Sequence, residues 1–151
     1  MADPLFHQIL IPTDGSQSSV QASQLAFRIA EVSGAELTAL YVVDSAVLDE
    51  IARFSTQQRV EVREELLENG RQYLAYVESL AHQTNLTIQQ EIREGVPYEE
   101  IVALATAISA DLIVMGHVGR RGPRRILIGS VTERVIEFAH CPVLVAKMES
   151  S

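Results

Sequence analysis

Short apolar runs alternate with helix-patterned stretches along the chain. Residues 7–11, 36–43, 111–115 and 142–146 are nearly continuous apolar runs, and Pro12, Asp44 and Gly116 close the first three. Runs of that kind mark strands covered on both faces, because a strand with one wet face alternates apolar and polar positions. Residues 86–94 do alternate, through Leu86, Ile88 and Ile92, and so predict an edge strand with a wetter face.

Four stretches between the runs have helical spacing. Residues 16–33 place Val20, Leu25, Ile29 and Val32 on a stripe and stop at Gly34, where a C-terminal cap belongs. Residues 59–84 carry Leu66, Leu67, Leu74, Val77, Leu80 and Ala81. Gly70 interrupts that helix at a cost of roughly 0.5–1 kcal/mol relative to Ala, which predicts close packing there. Residues 97–109 open with Pro97 in the first turn and turn Ile101, Leu104, Ala105 and Ile108 inward. Residues 130–139 form a short last helix with Val131, Val135 and Ile136 inward. Residues 45–58 read as a loop, a short helix or a flap.

The order β-α-β-α-β-α-β-α-β predicts an α/β domain, a doubly wound parallel sheet with right-handed crossovers. The length of 151 residues suits one domain over 1–151. The formal net charge of −8 argues against a protein that coats nucleic acid, since such binding rests on neutralising phosphates. No stretch reaches the length that spans a bilayer, and the acidic start lacks a secretory pattern. The one cysteine, Cys141, allows no intrachain disulfide, which fits a reducing compartment. The expectation is a cytoplasmic protein with no membrane and no nucleic acid among its partners.

In an open parallel sheet, ligands bind beyond the carboxyl ends of the strands. Three segments lie there: residues 12–16, Asp44, and residues 116–130. The last holds Gly116, Gly119 and Gly129, followed by Ser130 at the start of the final helix. Backbone N–H groups in such a loop can form an anion nest, and the helix start adds donors and partial positive charge. Arg120, Arg121, Arg124 and Arg125 lie on the same loop, and one or two of them suit phosphate contacts. There is no G-x-x-x-x-G-K-[ST] and no G-x-G-x-x-G after the first strand.

The spacing Gly116-x-x-Gly119, nine residues, Gly129-Ser130 resembles the nucleotide-binding signature of the universal stress protein family. Asp14-Gly15-Ser16-x-x-Ser19, Gly95-x-Pro97, the block 110–116 and the block 141–145 are similar to other parts of that family's pattern. The resemblance implies a five-stranded sheet in order 3-2-1-4-5 with helices on both faces. It also implies membership of the ATP-binding subgroup, with ATP, ADP or AMP as ligand and Mg2+ or Mn2+ as companion, and a homodimer built through the C-terminal strand, residues 142–147. Carried over by position, Pro12, Thr13 and Asp14 border the adenosine, with Asp14 and Val42 at the adenine. Met115, Gly116, Gly119, Gly129, Ser130 and Val131 line the ribose and phosphates. His117, Arg120 and Thr132 are counted as further candidates from their place on the loop and the last helix.

Several of these residues have plainer readings. Asp14 can cap the first helix, though its place at the crevice favours a ligand. Ser130 with Glu133 fits a capping box, which is compatible with backbone donation to phosphate. Asp44 serves a metal, a ribose or a turn. His7, His82 and His140 show no pairing that marks a metal site, and Cys141 reads as a packed small residue. A nucleotide-binding stress or signalling protein is the first expectation. A slow ATPase or phosphotransferase using Asp14 or His117 is the second, and a dimeric interaction module with a vestigial site the third.

Overall fold

The computed structural model describes residues 3–118 and 128–147. Strands β1 (Gln8–Pro12), β2 (Glu36–Asp44), β3 (Ile88–Gly95), β4 (Leu112–Gly116) and β5 (Val143–Ala146) form one sheet in the order β3-β2-β1-β4-β5. Every neighbouring pair is parallel. The doubly wound α/β architecture and its strand order are therefore as expected. The helices are α1 (Gln17–Ser33), α2 (Ser45–Phe54), α3 (Arg59–Gln83), α4 (Pro97–Ala107) and α5 (Ser130–Phe138). The segment after β2 thus contains a short helix, with Asp44 as its cap: Oδ1 accepts from the Ala46 and Val47 amides.

The sheet separates two apolar layers. Ile9, Ile11, Leu37, Ala39, Tyr41, Val43, Leu112 and Val114 point to the side covered by α1, α2 and α3. Leu10, Leu40, Ile113 and Met115 point to the side covered by α4 and α5. Successive side chains of a strand face opposite ways, so a strand buried on both sides must be apolar at every position. That is why β1 and β4 read as continuous runs. Burial of each large aliphatic side chain contributes roughly 1.5–3 kcal/mol. β3 lies at an edge and keeps only Ile88 and Ile92 against the core.

Two helix faces differ from expectation. The buried face of α1 is Ser18, Ser19, Ala22, Ser23, Ala26, Phe27 and Ala30, while Val20, Leu25 and Ile29 are only half-buried and Val32 is 91% exposed. Small side chains let α1 lie close over β1 and β4, and closeness outranks the size of individual apolar residues. In α5 the inward residues are Thr132 and Val135, whereas Val131 and Ile136 are exposed. Thr132 is drawn inward by a buried hydrogen bond, its Oγ1 donating to the Gly116 carbonyl at 2.8 Å.

Gly70 behaves as its sequence position predicts. A Cβ there would stand 2.9 Å from Cγ of Tyr41 and closer to other ring atoms, so α3 reaches β2 only because that side chain is absent. Gly34 ends α1 in the left-handed conformation, with φ 74°, and its amide donates to the Ala30 carbonyl.

Candidate functional site

Where β1 and β4 part to opposite crossovers, the carboxyl ends of the strands border a cleft of about 670 Å³. That volume falls in the range of small-molecule sites, roughly 300–1,000 Å³. The position is the topological switch point, where the chain leaves β1 toward α1 and leaves β4 toward α5 on the other face.

The floor comes from β1 and its turn. Pro12 and Thr13 are buried, and the Thr13 amide donates to the Leu40 carbonyl at 2.8 Å. Thr13 Oγ1 and Ser19 Oγ lie 3.1 Å apart, which ties the turn to the first coil of α1. Asp14 Oδ1 accepts from the Ser16 amide at 3.0 Å, tightening the turn around Gly15 at φ 81°. The cap of α1 is Ser16 and not Asp14: Ser16 Oγ accepts from the Ser19 amide at 3.1 Å. Asp14 thereby shapes the turn that precedes the helix and stands among the residues lining the cleft.

The opposite wall is the start of α5. Its N-cap is Gly129, extended at φ −72° and ψ 158°, and no described side chain caps the helix. This corrects the capping-box reading. Ser130 is already the first helical residue, so Glu133 falls one position too late to close a box, and its amide instead donates to the Gly129 carbonyl. The loop before α5 is fastened at both described ends, because the His117 amide donates to the Ala146 carbonyl and the His117 carbonyl accepts from the Gly129 amide.

Pro12, Thr13, Asp14, Val42, Met115, Gly116, Gly129, Ser130, Val131 and Thr132 all line this one cleft. His117 stands outside that lining, with Nδ1 3.4 Å from Ser18 Oγ. Gly119 and Arg120 lie outside the described residues, as do Arg121, Arg124 and Arg125. Gly116 has a structural reason of its own: a Cβ would stand 2.7 Å from the carbonyl carbon of Ser18. Its missing side chain admits α1, so the close approach it allows is to the protein's own backbone.

Sequence reasoning missed several contributors, among them one each from α2 and α3. Val47 of α2 and Tyr73 of α3 also line the cleft. Neither follows a strand directly, so the rule that points to loops beyond strand ends passes over them. Asp44, which the rule did reach, lies at the cleft as well as capping α2. Neighbouring strands are about 4.8 Å apart, so the ends of β2 and β4 are separated by roughly 10 Å. The cleft thus has two differently built ends. Val42, Asp44 and Val47, with Tyr73 against Tyr41, belong to the β2 end, Asp14 follows the central β1, and the start of α5 with Gly116 forms the β4 end.

Five parallel strands in the order 3-2-1-4-5, with helices on both faces and a crevice at the switch point, define an α/β fold of the universal stress protein kind. The chain belongs to the universal stress protein family, which it matches over residues 5–147. It is 46% identical over 144 residues to the universal stress protein MJ0531 of Methanocaldococcus jannaschii, covering 95% of this chain and 83% of that one. The solved structure of MJ0577, from the same organism, is 29% identical with a TM-score of 0.84, and covers 97% of this chain and 99% of that one. A universal stress protein solved in complex with cAMP is 26% identical with a TM-score of 0.66, over 93% of this chain and 96% of that one.

Proposed function

We propose that the chain binds an adenine nucleotide, ATP in the first place, in the cleft between β1, β2 and β4, as a stress-response or signalling protein. The observation that carries this reading is the uncapped start of α5 opening into a cleft of nucleotide size. The first backbone N–H groups of a helix have no partner within it, and together with the helix dipole they favour a bound anion by about 0.3–1 kcal/mol, more when partly buried. At the other end, Asp14 and Val42 face the base. Complexes such as that of the related protein with cAMP support an adenine ligand.

Among the described residues no group of three or more acidic, histidine or cysteine side chains is placed to hold a metal ion. Mg2+ or Mn2+ in this reading is therefore held chiefly by the phosphates. What the chain supplies is binding and orientation: helix-start amides for the phosphates, a carboxylate at Asp14 that accepts from an exocyclic amine, and apolar walls that exclude water. Isothermal calorimetry with ATP, ADP and AMP tests it. Binding weaker than millimolar for all three overturns the reading.

The same reading includes a homodimer. Among the described residues β5 pairs with β4 alone and ends the sheet on that side, and an edge at residues 142–147 suits a second copy of the same strand. Sedimentation at micromolar protein should give twice the chain mass, and a single-chain mass would remove this part of the reading.

A further inference from the structure

We infer that Tyr73 is the residue that makes the cleft prefer a purine base over a pyrimidine; this rests on the nucleotide reading above. Tyr73 comes from α3, yet it lines the cleft, placed between the turn after β1 and strand β2 by its contacts with Gly15 and Tyr41. Its ring is fixed on two sides. On one side it packs over Gly15, where a Cβ would stand 2.5 Å from Cε1 and 2.7 Å from Cδ1. On another it meets the buried ring of Tyr41, with centroids 5.8 Å apart and planes at 59°. A half-buried aromatic surface held in this way loses little side-chain freedom when a flat ligand settles against it.

The surroundings fit a base more closely than any other part of a nucleotide. Apolar Val42 and Val47 line the same cleft, Val42 from the other face of the sheet, and the carboxylates of Asp14 and Asp44 border it too. Carboxylates repel phosphate and accept from exocyclic amino groups, so the charged tail is directed to the α5 end and the base to Tyr73. Contact with an aromatic ring grows with the area of the base, which favours the two-ring purine.

The test compares the unchanged chain with Tyr73→Ala and Tyr73→Phe in calorimetric titrations with ATP, CTP and inorganic tripolyphosphate. Tyr73→Ala is expected to lose about tenfold in ATP affinity, or about 1.4 kcal/mol. Tripolyphosphate affinity should hold, the ATP-to-CTP ratio should fall toward one, and Tyr73→Phe should keep both values. An unchanged ATP-to-CTP ratio in Tyr73→Ala overturns the inference, as does an equal loss for ATP and tripolyphosphate, which would make Tyr73 a prop for the turn. The chain contains no tryptophan. Tyr73→Trp therefore places a single emitter in the wall, which ATP should quench and tripolyphosphate should not. Emission indifferent to ATP at concentrations where calorimetry shows binding also overturns the inference. If the unchanged chain binds tripolyphosphate but prefers no base, only the role of Tyr73 falls. If it binds none of the three ligands, the nucleotide reading falls with it.

Discussion

Two helices begin at the same edge of the sheet, and they begin differently. At α1 the protein uses its own groups. Asp14 accepts from the Ser16 amide, Ser16 Oγ accepts from the Ser19 amide, and the Ser16 carbonyl takes the amide of Val20 and the hydroxyl of Ser19. At α5 the cap is a glycine with no side chain to offer, and the first hydroxyl, Ser130, sits one position too late to serve. The start of α1 is a finished structural joint. The start of α5 lines the cleft without a side-chain cap. Sequence alone makes the two look alike, since each has a glycine followed by a serine; what separates them is one residue of offset between that serine and the first helical turn.

The largest expected effect comes from Gly116, which couples the two starts. Gly116→Ala drives a methyl into the backbone of Ser18, and overpacking of that kind costs typically about 1–3 kcal/mol. Urea unfolding should show a lower midpoint, with nucleotide affinity falling as α1 is pushed off β4. An unchanged midpoint would mean that α1 does not need to lie so close.

Next in size is the contrast between the two serines. Ser16→Ala removes a real N-cap and should cost about 0.5–2 kcal/mol. Ser130→Ala removes an exposed hydroxyl at the first helical position and should change stability by less than about 0.5 kcal/mol. Equal losses in thermal or urea unfolding would erase the proposed difference between the helix starts.

The smallest effect lies at the opposite edge of the sheet. There Cys141 precedes β5, and burial, followed by the negative charge of Asp111, pushes its thiol above the ordinary range. The folded state then holds this proton to higher pH than the unfolded state does. Its contribution to stability is complete at neutral pH and is lost as pH rises through the thiol range. Alkylation by iodoacetamide at pH 8 should be slower than for the unfolded chain and should accelerate with pH. A rate equal to that of the unfolded chain would show that the thiol is not shielded.

Much of the fold was legible because burial on two faces leaves a direct trace in sequence. The apolar runs at β1 and β4, the edge character of β3 and the stop at Gly34 all follow from that trace or from backbone geometry. Helix faces were less legible. The inner face of α1 is built from alanine and serine, which hydrophobic spacing ranks below the valine and isoleucine beside them. In α5 a threonine with a hydrogen bond to make displaced two larger apolar residues. Of the cleft, the parts that follow strands could be found, while Tyr73 could not, because its place there depends on the tertiary approach of α3 to Gly15.

That approach has a consequence for how this chain can vary. Gly70 admits the ring of Tyr41, Tyr41 leans on Tyr73, and Tyr73 covers Gly15. Two missing methyl groups and two rings therefore form a single column running from the middle of α3 to the turn beside the cleft. A substitution at Gly70, on a helix far from that turn in sequence, must be absorbed along the column before the turn can keep its place. The four positions are expected to accept change as a coordinated set, with a smaller ring at 41 as the natural companion of a larger residue at 70.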